Sequence, residues 1–594
     1  MGDEVLVEAD VFTDGHDAVV AELLFKFQSE TEWQRVPMTF HGNDHWSASF
    51  RVEKLGRYEY TVRGWTDPFL AWQRDLAKRR AAKQDLSVDF LIGGALSCNP
   101  VLKDAAKSDD ERYETALRLK PRPPDPSRVV HYERTLQIVV DPVRARFSSW
   151  YELFPRSVRG DGTHASLRDL IDFLAEVETM GFDVLYLPPV HPIGVTERKG
   201  RNNALEAGPG DVGSPWAIGA KEGGHKALHS QLGTFADFDT LVREAGKRDI
   251  AIALDIAFQC SPDHPYVTEH PEWFRQRPDG TVQYAENPPK KYQDIYPFDF
   301  ESRDWRGLWQ ELKSIFEFWI GHGVTIFRVD NPHTKAFAFW EWCIAELKAR
   351  HPEVILLSEA FTRPRVMHKL AKLGFTQSYT YFTWRTSRHE LSEYFTELAK
   401  HESREYFRPH VWPNTPDILH EYLQQGGRPA FVVRAVLAAT LAANYGMYGP
   451  AFELMENKPR EPGSEEYLDS EKYEIKRWDR ERPDSLRPLI SRLNEVRRNN
   501  AALQSDWSLR FHPTDNDQLL VFSKEEKSNL ILVAVNLDTR HTQAGWVDFD
   551  RAPDGPYAVE DLLAAGRYDW NGRRNFVQLN PQTLPAHVFR VIRR

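Results

Sequence analysis

Four carboxylates stand at the ends of apolar runs: Asp255 in ALDIAF, Asp330 in FRVDN, Glu359 in LLSEAF and Asp417 in NTPDIL. Arg328 precedes Asp330 by two positions. In an extended strand residues i and i+2 share a face, so guanidinium and carboxylate point the same way. Any one of these acids also reads as a helix N-cap or a strand-end ion pair. Four in succession, each after an apolar strand, favour a reaction centre.

Retaining glycosyl transfer needs such a set. It uses one carboxylate as nucleophile and a second carboxyl group as acid and base, roughly 5 to 5.5 Å away, around an oxocarbenium-like transition state. A guanidinium on the same strand face favours the charged form of a carboxylate, which suits Arg328 and Asp330 to a nucleophile pair. Glu359 lies in an apolar strand without an adjacent cation, a setting that keeps a carboxyl protonated and fits the acid.

The elements that must position these groups follow from the pattern between about 136 and 505. Apolar strands recur as SSWYELF, DVLYLPPV, IAIALDIAF, VTIFRVD, VILLSEAF, TQSYTYF, a weaker one before NTPDIL, and NYGMYGP. Amphipathic helices such as LRDLIDFLAEVETMG and FADFDTLVREAGKRD lie between them. Eight strand-helix units predict an α/β fold, a (β/α)8 TIM barrel with its active site at the C-terminal strand ends. Loops at about 191–232 and 258–300 are long enough to be functional. Residues 1–135 read as an N-terminal β-sandwich carrying a short insertion of exposed helices at about 66–125, and 506–594 as a C-terminal β-sandwich.

A chain of 594 residues exceeds what one core organises. The net charge of −11 argues against a nucleic-acid partner, and no run approaches the roughly 18 apolar residues of a membrane span. Cys98, Cys260 and Cys343 are too scattered for a disulfide framework or a cysteine zinc site. MGDEVLVEAD has no secretory pattern, which predicts a cytoplasmic protein. The 18 tryptophans suit stacking on sugar rings, but core and interface packing is the commoner reason for such a surplus.

The strand-end motifs, in this order in a barrel between two β-domains, resemble the α-amylase family of glycosidases and transglycosidases. The resemblance implies Asp330 as nucleophile, Glu359 as acid/base, Asp417 as transition-state stabiliser and Arg328 as the nucleophile's partner. Two departures are informative. Gln259 and Cys260 replace the usual Asn-His after Asp255, so calcium is not expected and no metal or cofactor is assigned. Asn414-Thr415-Pro416-Asp417 replaces Asn-His-Asp, which makes ordinary starch hydrolysis doubtful.

These departures, with ERKGRNN, GSPWAIG, GGHKALH, ENPPKKYQDIYP, FTQSYTYFTWR and EEYLDSEKYEIK, resemble one branch, the α-1,4-glucan:maltose-1-phosphate maltosyltransferases. Its members transfer maltosyl units from α-maltose 1-phosphate to an α-1,4-glucan, and the helical insertion here is short for the branch. Asn287, Lys290, Lys291 and Tyr292 bring amide, ammonium and phenol donors to one loop, which taken alone reads as a solvated basic turn and which the resemblance turns into a site for phosphate oxygens. By the resemblance Lys290 is the main phosphate ligand and Asn331 its neighbour. Lys199, Gln259, Asp294, Lys472 and Tyr473 are implied as donor contacts, with Asn203 a further candidate. His333 reads either as a sugar contact or as a packed strand-end histidine. The resemblance also implies a homodimer through the N-terminal domain. The rival enzyme reading is a 4-α-glucanotransferase or α-glucan hydrolase acting on plain glucans. A non-catalytic glucan-binding protein on the same barrel has no physical reason to keep three costly acids.

Overall fold

The computed structural model describes residues 1–288 and 290–593, with the backbone alone at Asn287 and Lys290. The chain divides into two compact units, Met1–Asp141 and Pro142–Arg594.

In the first unit, strands Glu4–Asp10, Thr39–Gly42 and His45–Arg51 make one antiparallel sheet. A second is built on Val19–Phe27 and Gly56–Thr66, with Gln34–Pro37, Val130–His131 and Leu136–Val140 beside them. Alternate residues of both sheets, among them Val7, Leu23, Phe25, Phe50 and Tyr58, share one core, which makes this unit a sandwich. The helices Pro68–Ala81, Ser87–Ser97 and Asp109–Arg118 are not simply bare, as the sequence suggests. Phe69, Trp72 and Leu76, spaced i, i+3, i+7, enclose a core of their own with Phe90, Leu102 and Ala116. Gly93 admits the Trp72 ring, since a Cβ there would lie 1.9 Å from it.

The second unit holds a closed parallel barrel of β1 (Ser148–Glu152), β2 (Val184–Leu187), β3 (Ala251–Ile256), β4 (Ile326–Asp330), β5 (Ile355–Glu359), β6 (Gln377–Tyr379), β7 (Pro409–Val411) and β8 (Asn444–Tyr448). All eight strand segments read from the sequence are present. The first two barrel helices, α1 (Leu167–Met180) and α2 (Phe235–Gly246), open on capping boxes, Ser166 with Asp169 and Thr234 with Asp237. The third, α3 (Trp305–Gly321), packs Phe316 against Phe327 of β4. Period-two alternation sends Phe327 and Val329 outward to the helix layer and Ile326 inward. The barrel centre is aromatic, filled by Trp150, Tyr186, Tyr379 and Trp412. Past the barrel, the six-stranded sheet of Arg510–His512, Leu519–Glu526, Asn529–Asn536, Ala586–Arg593, Pro556–Asp561 and Arg567–Asn571 faces the pair Gln543–Asp548 and Arg574–Leu579 across a shared core.

Both long loops carry structure. Strand pair Gln259–Cys260 and Tyr296–Pro297 closes the base of the second, and a hairpin of Ala285–Asn287 and Lys290–Tyr292 stands within it. The two loops are joined by buried histidines. His225 Nε2–H donates to the Ala257 carbonyl at 2.9 Å, which leaves Nδ1 to accept from His264 Nε2 at 3.1 Å. Burial pushes the pKa of His225 and His264 down, so this neutral pairing is the favoured one. A Cβ at Gly224 would fall 1.8 Å from His264 Nε2, so only glycine admits that ring.

Gly446 of β8 has the same role in the barrel centre. A Cβ there would lie 2.4 Å from the ring of Trp412, which stacks on Tyr379 and His410. Gly446→Ala is expected to destabilise the protein by about 1–3 kcal/mol, the usual cost of overpacking a tight core. A denaturant midpoint equal to that of the wild type would contradict this packing.

Candidate active site

The parallel register sets Asp255 opposite Arg328 and Asp330 opposite Glu359. Adjacent strands run about 4.8 Å apart, close to the roughly 5–5.5 Å between the carboxyl groups of retaining enzymes. Asp330 and Glu359 therefore stand side by side at the C-terminal rim.

Arg328 is the hub. Its Nη1 lies 2.8 Å from Asp255 Oδ2 and 3.0 Å from Asp330 Oδ1, and its Nη2 lies 3.0 Å from Glu359 Oε1. The expectation that Glu359 lacks a nearby cation is thus corrected. The guanidinium crosses from β4 to β5, a contact fixed by register rather than by spacing along the chain. Burial nevertheless dominates and raises the Glu359 pKa to about 8, with Arg328 opposing and Asp330 and Asp417 adding to the rise. Burial raises Asp255 as well, again against Arg328. Tyr186 donates its hydroxyl to Asp255 Oδ2 at 2.5 Å. Glu152 at the end of β1 is a further buried carboxyl, pushed well up by burial, which the sequence reading passes over.

Asn331 leaves β4 in the left-handed region with φ 42°, a conformation asparagine tolerates better than most residues. That turn aims its backbone N–H at Glu359 Oε2, 3.2 Å away. Its contribution to the acid is thus through the main chain, while the residue itself borders the cleft.

The cleft above these residues has a volume of about 1120 Å³ and is lined by Asp330, Asn331, Glu359 and Asp417. Of the donor and phosphate candidates, Lys199, Gln259, Tyr292, Asp294, Lys472 and Tyr473 line it too. Asn203 lies in a small adjoining pocket that shares Asp417, Lys472 and Tyr473 with the cleft. The side chains of Asn287 and Lys290 lie outside the described residues. His333 borders the cleft, with burial lowering its pKa.

Asp417 follows β7 and is bound by the ammonium of Lys472, which lies 4.9 Å over the ring of Trp216. Burial draws the Lys472 pKa down, but Asp417 outweighs it and holds the ammonium above its ordinary value. Burial raises Asp294, and the nearby Lys199 counters it. Asn414 has no exposed surface. Its side-chain amide donates to the Tyr448 carbonyl and the Tyr467 hydroxyl and accepts from the Tyr448 N–H, so it braces the loop that carries Asp417. The sequence reading also passes over Trp216, Phe361 and Lys335 in the cleft wall. All three had a local signal: Trp216 lies within GSPWAIG, Phe361 ends LLSEAF, and Lys335 stands five residues beyond Asp330.

Residues 1–144 match the model of the α-1,4-glucan:maltose-1-phosphate maltosyltransferase N/S domain, and 511–591 match the GLGE C-terminal domain. The maltosyltransferase of Chlorobaculum tepidum is 51% identical over 99% of this chain and 93% of that protein. That of Methylacidiphilum infernorum is 49% identical over the whole chain and 92% of its own length. This chain belongs to the α-1,4-glucan:maltose-1-phosphate maltosyltransferase family. Among solved structures, an α-amylase of Geobacillus thermoleovorans aligns with a TM-score of 0.61 at 15% identity, covering 76% of this chain and 99% of that one. The trehalose-6-phosphate hydrolase of Bacillus licheniformis aligns at 0.54 and 12%, covering 76% and 100%. These two show the barrel fold that the family shares with amylases.

With three carboxylates on one guanidinium, Arg328→Met is expected to cost about 3–5 kcal/mol of stability, the penalty for stranding buried charge. Equilibrium unfolding at neutral pH measures it, and a loss near zero would mean that the carboxylates do not depend on Arg328.

Proposed function

We propose that the protein transfers a maltosyl unit from α-maltose 1-phosphate to the non-reducing end of an α-1,4-glucan, releasing phosphate, in α-glucan synthesis. The observation that carries this reading is the pairing of Asp330 with Glu359 on adjacent strands, open to a polar cleft, in a chain of this family.

Asp330 attacks C1 of the donor and the C1–O bond to phosphate breaks, its electron pair leaving with phosphate as Glu359 gives up its proton. A β-maltosyl enzyme results. Glu359 then takes the proton of an acceptor 4-hydroxyl, whose oxygen attacks C1 from the face that phosphate left and displaces Asp330, so two inversions give net retention. Asp417 steadies the charge at C1. In this reading Lys199, Asn203, Gln259, Asp294, Lys472 and Tyr473 hold the maltosyl unit, and Asn287, Lys290, Tyr292 and Asn331 hold the phosphate. The joined loops restrict water at the glycosyl enzyme. Reading the chain as a hydrolase of plain glucans leaves the donors around Tyr292 without a task.

Among the described residues no helix is long and apolar enough to cross a membrane. A sugar phosphate does not cross a bilayer unaided, so we place the enzyme in the cytoplasm with its donor. We further propose a homodimer through the N-terminal domain. It is supported by apolar side chains bare on that unit, including Leu6, Phe12, Phe40 and Val130. Sedimentation should give twice the chain mass, and a monomer at assay concentration would exclude the dimer.

With glycogen present, the wild type is expected to release phosphate from α-maltose 1-phosphate and to lengthen chains in two-glucose steps. Asp330→Ala should abolish both, and near-normal turnover in that variant would remove Asp330 as nucleophile. Glu359 must be protonated for phosphate to leave. The donor kcat/KM should therefore hold below its pKa of about 8 and fall as pH rises through that value. A rate still climbing beyond it would reject Glu359 as the acid.

A further inference from the structure

Phosphate leaves carrying negative charge, and two of the cations at the cleft are already engaged. Arg328 serves three carboxylates, and Lys472 is bound to Asp417. Lys199 faces the buried Asp294. Lys335 also lines the cleft, and among the described residues no carboxylate lies within ion-pair distance of it. Its Nζ donates to the Thr334 hydroxyl at 3.0 Å and to the Asn331 carbonyl at 3.3 Å.

These two bonds fold the lysine back over the turn Pro332–Thr334, onto the segment whose N–H holds Glu359. The ammonium is thereby held at the turn that follows Asp330, near enough to feel both Asp330 and Glu359. An ammonium has three N–H bonds, so one is left for a ligand.

We propose that Lys335 donates this third N–H to a non-bridging oxygen of the departing phosphate. The inference rests on the maltosyl-phosphate reading of the site and adds a leaving-group contact to it. As the C1–O bond breaks and Asp330 bonds to C1, the bridging oxygen takes the Glu359 proton. While C1–O cleavage runs ahead of that proton transfer, negative charge builds on the phosphate and spreads to the oxygen facing Lys335, where a preorganised donor is most effective. Burial holds the Lys335 pKa below its ordinary value, with the charge of Asp330 opposing that fall.

Leaving group and fold separate in a comparison of two donors. Phosphate release from α-maltose 1-phosphate and fluoride release from α-maltosyl fluoride are measured on the full-length protein with glycogen, for wild type, Lys335→Met and Lys335→Arg. A fluoride has no oxygens for the ammonium to hold. Lys335→Met is expected to lower kcat/KM for the phosphate donor about 100-fold, as loss of one oxyanion donor does, and to affect the fluoride far less. Lys335→Arg should restore much of the loss. Equal losses on both donors, or unchanged phosphate release, would overturn the proposal alone. A wild type that releases fluoride but no phosphate would overturn the donor reading, and this proposal with it.

Discussion

One guanidinium joins three strands. Arg328 contacts Asp255 of β3, Asp330 of its own strand and Glu359 of β5, all four of them buried at the barrel rim. Unpaired carboxylates at that depth would each cost several kcal/mol, so strand register and site geometry are coupled. A slip of β5 by one residue would turn Glu359 away from the barrel interior and leave Nη2 without its acid. The site is thus a product of how three strands align. The aromatic packing behind it, Trp412 against Gly446 and Tyr379, fixes that alignment from within.

A single cation cannot neutralise Asp255, Asp330 and Glu359 together, and this imbalance has chemical use. Burial favours the neutral forms of Asp255 and Glu359 against the pull of Arg328. Glu359 takes the proton. The Asn331 N–H on its other oxygen then orients the carboxyl without adding a full charge. On the proposed mechanism, acid and nucleophile are separated by environment rather than by residue type.

How far the sequence spoke depended on the range of each interaction. Arg328 and Asp330 are two apart in one strand, so their shared face follows from period-two geometry, and the eight apolar runs were enough for the barrel. The contact of Arg328 with Glu359 spans two strands, and no spacing rule contains it. Lys472 is similar: it lies 55 positions from Asp417, and only the fold brings the two together. The helices after Pro68 looked bare because a three-residue core stripe is hard to tell from scattered apolar residues until Gly93 is seen to seat Trp72. The residue types that suggest phosphate were legible around Tyr292, whereas Lys335 was masked by the stronger signal of Asp330 just before it.

The loops complete the logic. A glycosyl enzyme in an open barrel mouth would meet water far more often than a glucan end, so transfer requires walls as well as acids. Here the walls are pinned at their bases. His225 and His264 fasten one loop to the other, and Trp319 of α3 donates its indole N–H to the His225 carbonyl at 2.9 Å, tying both to the barrel. Asn414 is spent on holding the Asp417 loop to Tyr448 of β8. On the proposed mechanism, pinned bases let Asp417 exchange its bond with Lys472 for the hydroxyls of a bound sugar while the frame stays still, the condition for a charge-stabilising site to act without reorganising during the reaction.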